Sequence, residues 1–283
     1  MQRSFMIDYH THTALCKHAV GEMEEYVESA IDKGLTEIGI SCHNPMPEGY
    51  DPEHRMSIEE FYAIYKPRVA QLREKYEGAI TIKFGLEADF YPGTEAYVKD
   101  FIAQSDFDYV LGSVHYLGAW PGTDLIPVPM FERVVVNARY EEYFRRVKQL
   151  AESGLCDIIA HFDLVKKNGA RPDNNTGEID AAIREALQAI RDNHLCMEIN
   201  TSGLRKKVAE IYPSENILQL AQEYSIPLTT GSDAHKPKDV GADFDTAYSF
   251  INKYANGKVC TFTQRQREEI EVTALSSVNN NGS

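Results

Sequence analysis

Short apolar runs alternate along the chain with longer stretches in which apolar residues recur at helical spacing. Runs at 5–9, 37–41, 80–86, 109–114, 157–160, 195–199 and 227–230 predict seven strands. Amphipathic patterns at 22–32, 58–75, 141–151, 179–192 and 215–223 predict helices between them. In the fourth of these, Ile179, Ile183, Leu187 and Ile190 form one apolar stripe, with Arg184, Glu185 and Arg191 off it, as a helix laid on a sheet requires. Gly34 and Gly154 stand where a helix must stop before the next strand. Strands alternating with helices in this way predict an α/β fold on a parallel sheet, open or closed into a barrel.

Two stretches depart from that rhythm. Residues 119–137, with Trp120-Pro121-Gly122 and Pro127-Val128-Pro129, are long for a strand-to-helix connection and predict either a binding loop or a plain insertion. The polar tail 276–283 predicts a frayed end, leaving 1–275 as one domain.

Composition changes the picture in three places. A chain of 283 residues, 43% hydrophobic and 25% charged, can bury a large core. Its formal charge of −14 argues against nucleic acid as a partner, because phosphate backbones are gripped by clustered Lys and Arg; a small anionic substrate stays open if bound cations reverse the field locally. Cys16, Cys42, Cys156, Cys196 and Cys260 are odd in number and form no CxxC pair, so they are expected as reduced thiols. No apolar run approaches membrane-spanning length and the start lacks a basic-then-apolar export pattern, which places the expected site of action in the cytoplasm, away from membranes. Either a monomer or a dimer fits a barrel of this size.

The candidate chemistry sits at the ends of the predicted strands. His10 and His12 end the first, with His18 six residues on; His43 follows the second, Glu87 the third, His115 the fourth and His161 the fifth. Asn200-Thr201-Ser202 follows the sixth, and Asp233 with His235 the seventh. In an extended segment, residues two apart face the same way, so His10 and His12 can present two imidazoles to one ion. Singly, His115 or His161 reads as a hydrogen-bonded core histidine, Glu87 as an ion-pair partner and Asp233 as a helix cap. Jointly they fall at the end of the strands where parallel α/β folds place their sites, and independent core histidines have no reason to do so. Seven of the nine histidines are used, leaving His54 and His194. Eight or nine nitrogen and oxygen donors exceed what one zinc takes, so two or three divalent ions are expected, with zinc, iron and manganese all suited. Glu87, with two oxygens, is the natural bridge. Such clusters turn water into hydroxide near neutral pH and set it in line with a phosphorus atom.

Taken in order from about residue 6 to residue 250, these motifs resemble the polymerase and histidinol phosphatase (PHP) superfamily. Cys16-Lys17-His18, Asn44-Pro45-Met46-Pro47 and Asn200-Thr201-Ser202-Gly203-Leu204-Arg205 resemble its histidinol-phosphatase branch. The resemblance implies a distorted (β/α)7 barrel with a trinuclear metal centre. One ion would be held by His10, His12, Glu87 and Asp233, a second by His18, His43 and His235, and a third by Glu87, His115 and His161. It implies hydrolysis of L-histidinol phosphate to L-histidinol and phosphate, a step of histidine biosynthesis, with Glu87, Asp233 and His235 in the catalytic machinery. A phosphoesterase for another small phosphate ester or a nucleotide is the alternative within the enzymes, and a metal-storing protein the alternative outside them. Arg205 is the preferred phosphate contact, with Lys17 and Ser202 beside it; Trp120 and Asp124 are the candidates for the imidazole and amine end. Lys166, Lys167 and Arg171 read as a solvated basic loop. One position departs from the resemblance: the residue before His43, usually acidic, is Cys42, read either as a packed, inert thiol or as the loss of an orienting carboxylate that weakens the second ion's binding or favours a softer ion.

Overall fold

The computed structural model describes residues 5–117, 120, 133–173 and 177–272. Seven parallel strands follow one another around a single sheet in chain order: β1 (Ile7–Asp8), β2 (Glu37–Ile40), β3 (Thr81–Asp89), β4 (Tyr109–Ser113), β5 (Ile158–Ile159), β6 (Cys196–Asn200) and β7 (Leu228–Gly231). The last strand returns to the first. Tyr9 N–H donates to Thr230 O at 3.0 Å, His12 N–H to Ala234 O at 2.9 Å, and Thr230 Oγ1 to Ile7 O at 2.6 Å, so the sheet curls into a nearly closed barrel. All seven strands lie where the apolar runs predict them, and the choice between open and closed falls to the barrel.

The barrel interior is filled by aromatic rings. Tyr9 and Tyr109 stack with centroids 4.6 Å apart, and Tyr109 Oη donates to Tyr9 O at 2.6 Å. Gly39 makes this possible: a Cβ there would come within 1.8 Å of Tyr109 Oη. At the same level Tyr9 donates to the Glu37 carboxylate, and Phe262 N–H donates to Tyr9 Oη.

Helices cover the barrel: α1 (Met23–Asp32), α2 (Ile58–Glu60), α3 (Lys66–Lys75), α4 (Glu95–Ala103), α5 (Arg133–Glu152), α6 (Gly177–Asp192), α7 (Glu215–Glu223) and α8 (Phe244–Tyr254). A π-helical turn, Phe61–Tyr65, joins α2 to α3. Pro67 supplies the reason: it has no N–H to donate four residues back, and the turn before it widens so that Lys66 N–H reaches Phe61 O. In α6, Ile179, Leu187 and Ile190 are buried as the stripe predicts, while Ile183 is partly buried against the core.

Four features were not read from the sequence. Helices α4 and α8 and the antiparallel hairpin β8 (Lys258–Thr263) and β9 (Gln266–Glu271) lie in stretches left unassigned. Helix α5 begins at Arg133, so the long connection expected over 119–137 ends at least five residues sooner; of its earlier part only Trp120 is among the described residues, and Asp124 lies outside them. The tail 276–283 also lies outside them.

Candidate metal centre

The register of the ladder gathers the ligand-type residues at the C-terminal end of the barrel. Glu87 pairs with Leu111 across β3 and β4, His43 bridges in parallel to Glu87, and Thr11 bridges to Ala234, so residues from five strands meet at one level. Two of the site residues have positive φ, His161 (+23°) and Asp233 (+52°), a conformation that non-glycine residues adopt at functional sites against local strain.

Glu87, fully buried, is the hub. Its Oε2 lies 2.8 Å from His43 Nδ1, 3.4 Å from His10 Nε2 and 3.5 Å from His12 Nε2, and its Oε1 lies 3.1 Å from His161 Nε2 and 3.5 Å from His115 Nε2. Asp233 Oδ1 lies 3.1 Å from His12 Nε2 and 3.8 Å from His10 Nε2. On the outer side His18 Nε2 and His235 Nε2 stand 3.0 Å apart. His10 Nε2, His43 Nδ1 and Glu87 Oε2 are buried without a hydrogen-bond partner although they crowd together. Hydrogen bonding does not explain that arrangement, whereas a shared ion does: ligands held about 2.1 Å from a tetrahedral metal sit about 3.4 Å from one another. The donor set of imidazoles and carboxylates suits divalent zinc, iron or manganese.

The charges agree. Burial opposes ionisation of Glu87, but His43, His10 and His115 outweigh it and hold its pKa well below the usual carboxylate range. Burial likewise opposes protonation of His10, yet Glu198, Glu87 and Asp233 raise its pKa well above that of a free imidazole. His12 is pushed up to about 9 in the same way, against burial, first by Asp233. His43 and His235 go down to about 3: burial leads in both, joined by Arg55 for His43 and by His12 for His235. The carboxylates thus concentrate negative charge that draws cations, protons on His10 and His12 or metal ions in their place, beside His43 and His235 kept neutral and ready to ligate.

Partners behind the ligands fix their orientation. Glu198 Oε1 lies 2.8 Å from His10 Nδ1, while its Oε2 accepts the His161 N–H at 2.8 Å and an Asn200 amide hydrogen at 3.1 Å. A Cβ on Gly231 would sit 2.0 Å from Glu198 Oε1, so only glycine leaves room for that carboxylate. Asp89 plays the same part for His115, Oδ1 to Nδ1 2.5 Å, and its Oδ2 accepts Arg55 Nε–H at 2.7 Å. Ser202 Oγ donates to Asp233 Oδ2 at 3.0 Å. Glu198, Asp89 and Arg55 were missed in the sequence. The available signal was carboxylates on strands buried on both faces, where a charge needs a partner.

A cavity of about 470 Å³ opens onto the centre, lined by His12, His18, His43, Glu87, His115, His161, Asp233 and His235, and at its rim by Asp51, His54, Arg55, Lys167 and Lys206. The expected substrate contacts fare differently. Arg205 is not on this cavity: its guanidinium donates to Ser232 O at 2.5 Å and to Asp243 Oδ2 at 3.1 Å, which ties the loop after β6 to that after β7. Lys17 pairs with Glu60 and lines a neighbouring cavity of about 370 Å³. Trp120 packs edge-on against Tyr50, with centroids 4.7 Å apart, in a small aromatic cluster beside the site. Ser202 reaches the centre only through Asp233. The basic loop is not simply solvated either: Lys166 is buried between Asp163 (2.8 Å) and Glu210 (2.9 Å), and Lys167 faces the cavity.

The profile of the PHP domain matches residues 8–202, and that of a PHP-associated segment matches 215–242. A protein of Deinococcus radiodurans named "Probable histidinol-phosphatase" is 38% identical over 263 residues, 93% of this chain and 98% of its own length. The histidinol-phosphatase of Bacillus subtilis is 29% identical, over 84% of this chain and 96% of its own. Among solved structures, the histidinol phosphate phosphatase of Lactococcus lactis, complexed with zinc, L-histidinol and phosphate, superposes with a TM-score of 0.76 at 22% identity, covering 93% of this chain and 98% of its own. With strand-end histidines and carboxylates in order along a seven-stranded barrel, and a domain match over most of its length, the chain belongs to the PHP family.

Proposed function

We propose that the chain is a metal-dependent phosphomonoesterase that hydrolyses L-histidinol phosphate to L-histidinol and phosphate. The observation that carries the chemistry is the set of mutually facing donors on Glu87, Asp233 and seven histidines, with His10, His12, His43, His161 and Glu87 buried beneath an open cavity. The substrate is supported by the relative from Deinococcus radiodurans, which this chain matches over nearly its whole length.

Two or three divalent ions would be held by His10, His12, Glu87 and Asp233, by His18, His43 and His235, and by Glu87, His115 and His161. When bound, they supply Lewis acidity and a hydroxide at neutral pH. The chain's own residues do the rest. Lys167 and Lys206 at the rim take the phosphate dianion in place of Arg205, while Arg55, locked onto Asp89, holds the carboxylate that orients His115. His54, unassigned in the sequence, joins Asp51 (Nδ1 to Oδ1 2.7 Å), whose other oxygen accepts Tyr116 Oη–H at 2.6 Å. That oriented imidazole at the mouth is the group we assign to hand a proton to the leaving alkoxide. Five unpaired cysteines support a reducing, cytoplasmic setting.

The test is removal and return of metal. Chelated protein is expected to lose phosphatase activity and to regain it with zinc, iron(II) or manganese in step with ions bound; full activity in metal-free protein would refute the reading.

A further inference from the structure

Beside the nitrogen and oxygen donors lies a group that the hydrolytic reading does not use. The sulfurs of Cys16 and Cys42 and a ring nitrogen of His12 lie within 4.8 Å of one another, and all three residues are buried. Cys16 closes a short 3-10 turn, Ala14–Cys16, whose cap is Thr13; Cys42 lies two residues past the end of β2. Thr13 holds the Cys42 sulfur from both sides, its Oγ1 donating to Sγ at 3.4 Å and its carbonyl accepting from Sγ at 3.9 Å. His12 turns Nε2 toward Asp233, and its Nδ1 is buried with no hydrogen-bond partner. The Cys16 sulfur is also within 4.8 Å of ligand nitrogens of His18 and His235.

We propose that Cys16, Cys42 and His12 form a binding site for a thiophilic metal ion, adjoining the nitrogen and oxygen centre and sharing His12 with it. Two sulfurs and an imidazole are soft and borderline donors, unlike the carboxylate-rich set around Glu87. For zinc, donors at about 2.3 Å (sulfur) and 2.0–2.1 Å (nitrogen) sit about 3.5–3.8 Å from one another, a spacing this group can adopt. Binding a divalent ion displaces the two thiol protons and the His12 Nδ1 proton to solvent, and His18, His235 or water completes the shell. Residue 42 creates the pair: a carboxylate there would leave Cys16 as a lone sulfur. The site is independent of which ester the chain hydrolyses.

Cadmium(II) titrated into metal-stripped full-length protein tests this, read by the near-ultraviolet thiolate-to-cadmium charge-transfer band, which nitrogen and oxygen ligands do not produce. The band is expected in the wild type, at about half its intensity in Cys42→Ser, where one of two sulfur donors is gone, and absent in the double variant Cys16→Ser/Cys42→Ser. It should persist in Cys196→Ser/Cys260→Ser, a second pair of neighbouring buried thiols, which lies near Arg267. No band in the wild type, or a band that survives loss of both Cys16 and Cys42, overturns the proposal. X-ray absorption of the cadmium-loaded Cys196→Ser/Cys260→Ser protein gives a second readout: two sulfurs in the metal's shell support the site, and a shell of nitrogen and oxygen alone refutes it.

Discussion

Glu198 does not line the cavity, yet it orients two imidazoles of the centre, His10 through its ring and His161 through its backbone N–H. Replacing it with Gln keeps the shape and removes the charge that fixes the His10 tautomer. Metal affinity should fall about 10–100-fold, the usual effect of losing such a partner, measured by competition with a chromophoric chelator; unchanged affinity would mean His10 is held by packing alone. His54→Asn separates proton donation from binding. Turnover of an alkyl phosphate should drop at least about 10²-fold, while an aryl phosphate, whose leaving group needs no proton, should be nearly unaffected. At this scale the sequence was most legible where a histidine or acid ended an apolar run. It was least legible for cations: Arg205 looked like the phosphate ligand because it follows the sixth strand, but Asp243 and Ser232 O claim it, while Lys167 and Lys206 reach the cavity from loops whose course no periodicity reports.

Among the elements, the strands were readable because a parallel barrel buries both faces and leaves continuous apolar runs. The hairpin β8–β9 was not, since one of its strands is polar throughout except Ile270, and its pairing depends on Arg265 reaching back to the barrel. Arg265 Nε–H donates to both oxygens of Asp157, at 3.1 and 2.9 Å, beside the Val110 N–H that Asp157 also accepts. Burial raises the pKa of Asp157 above the ordinary carboxylate value, with Arg265 opposing it. Arg265→Met should therefore destabilise the fold by about 1–3 kcal/mol at pH 7, where Asp157 is ionised and left without its cation. A raised folded-state pKa means the cost is full above that pKa and vanishes below the unfolded value, so the loss should shrink as pH falls toward about 4. Urea denaturation at the two pH values checks the sign. Gly231→Ala acts on β7 itself: the added methyl collides with the Glu198 carboxylate, and the expected result is a folded protein with fewer bound ions, by metal analysis and circular dichroism.

For the whole molecule, closure of the sheet turns separated strand ends into a centre. It also reconciles a chain of charge −14 with an anionic substrate: acidic groups at the floor collect divalent cations, and these with Lys167 and Lys206 make the cavity locally positive. Among the described residues no helix is long and apolar enough to cross a membrane. The most direct measurement is kcat/KM of the metal-replete protein on L-histidinol phosphate beside a panel of other alkyl, sugar and nucleoside monophosphates. L-histidinol phosphate should be preferred over every other ester by at least tenfold, about 1.4 kcal/mol of transition-state binding; equal turnover across the panel would contradict the substrate assignment, and no turnover of any ester would contradict the hydrolytic chemistry.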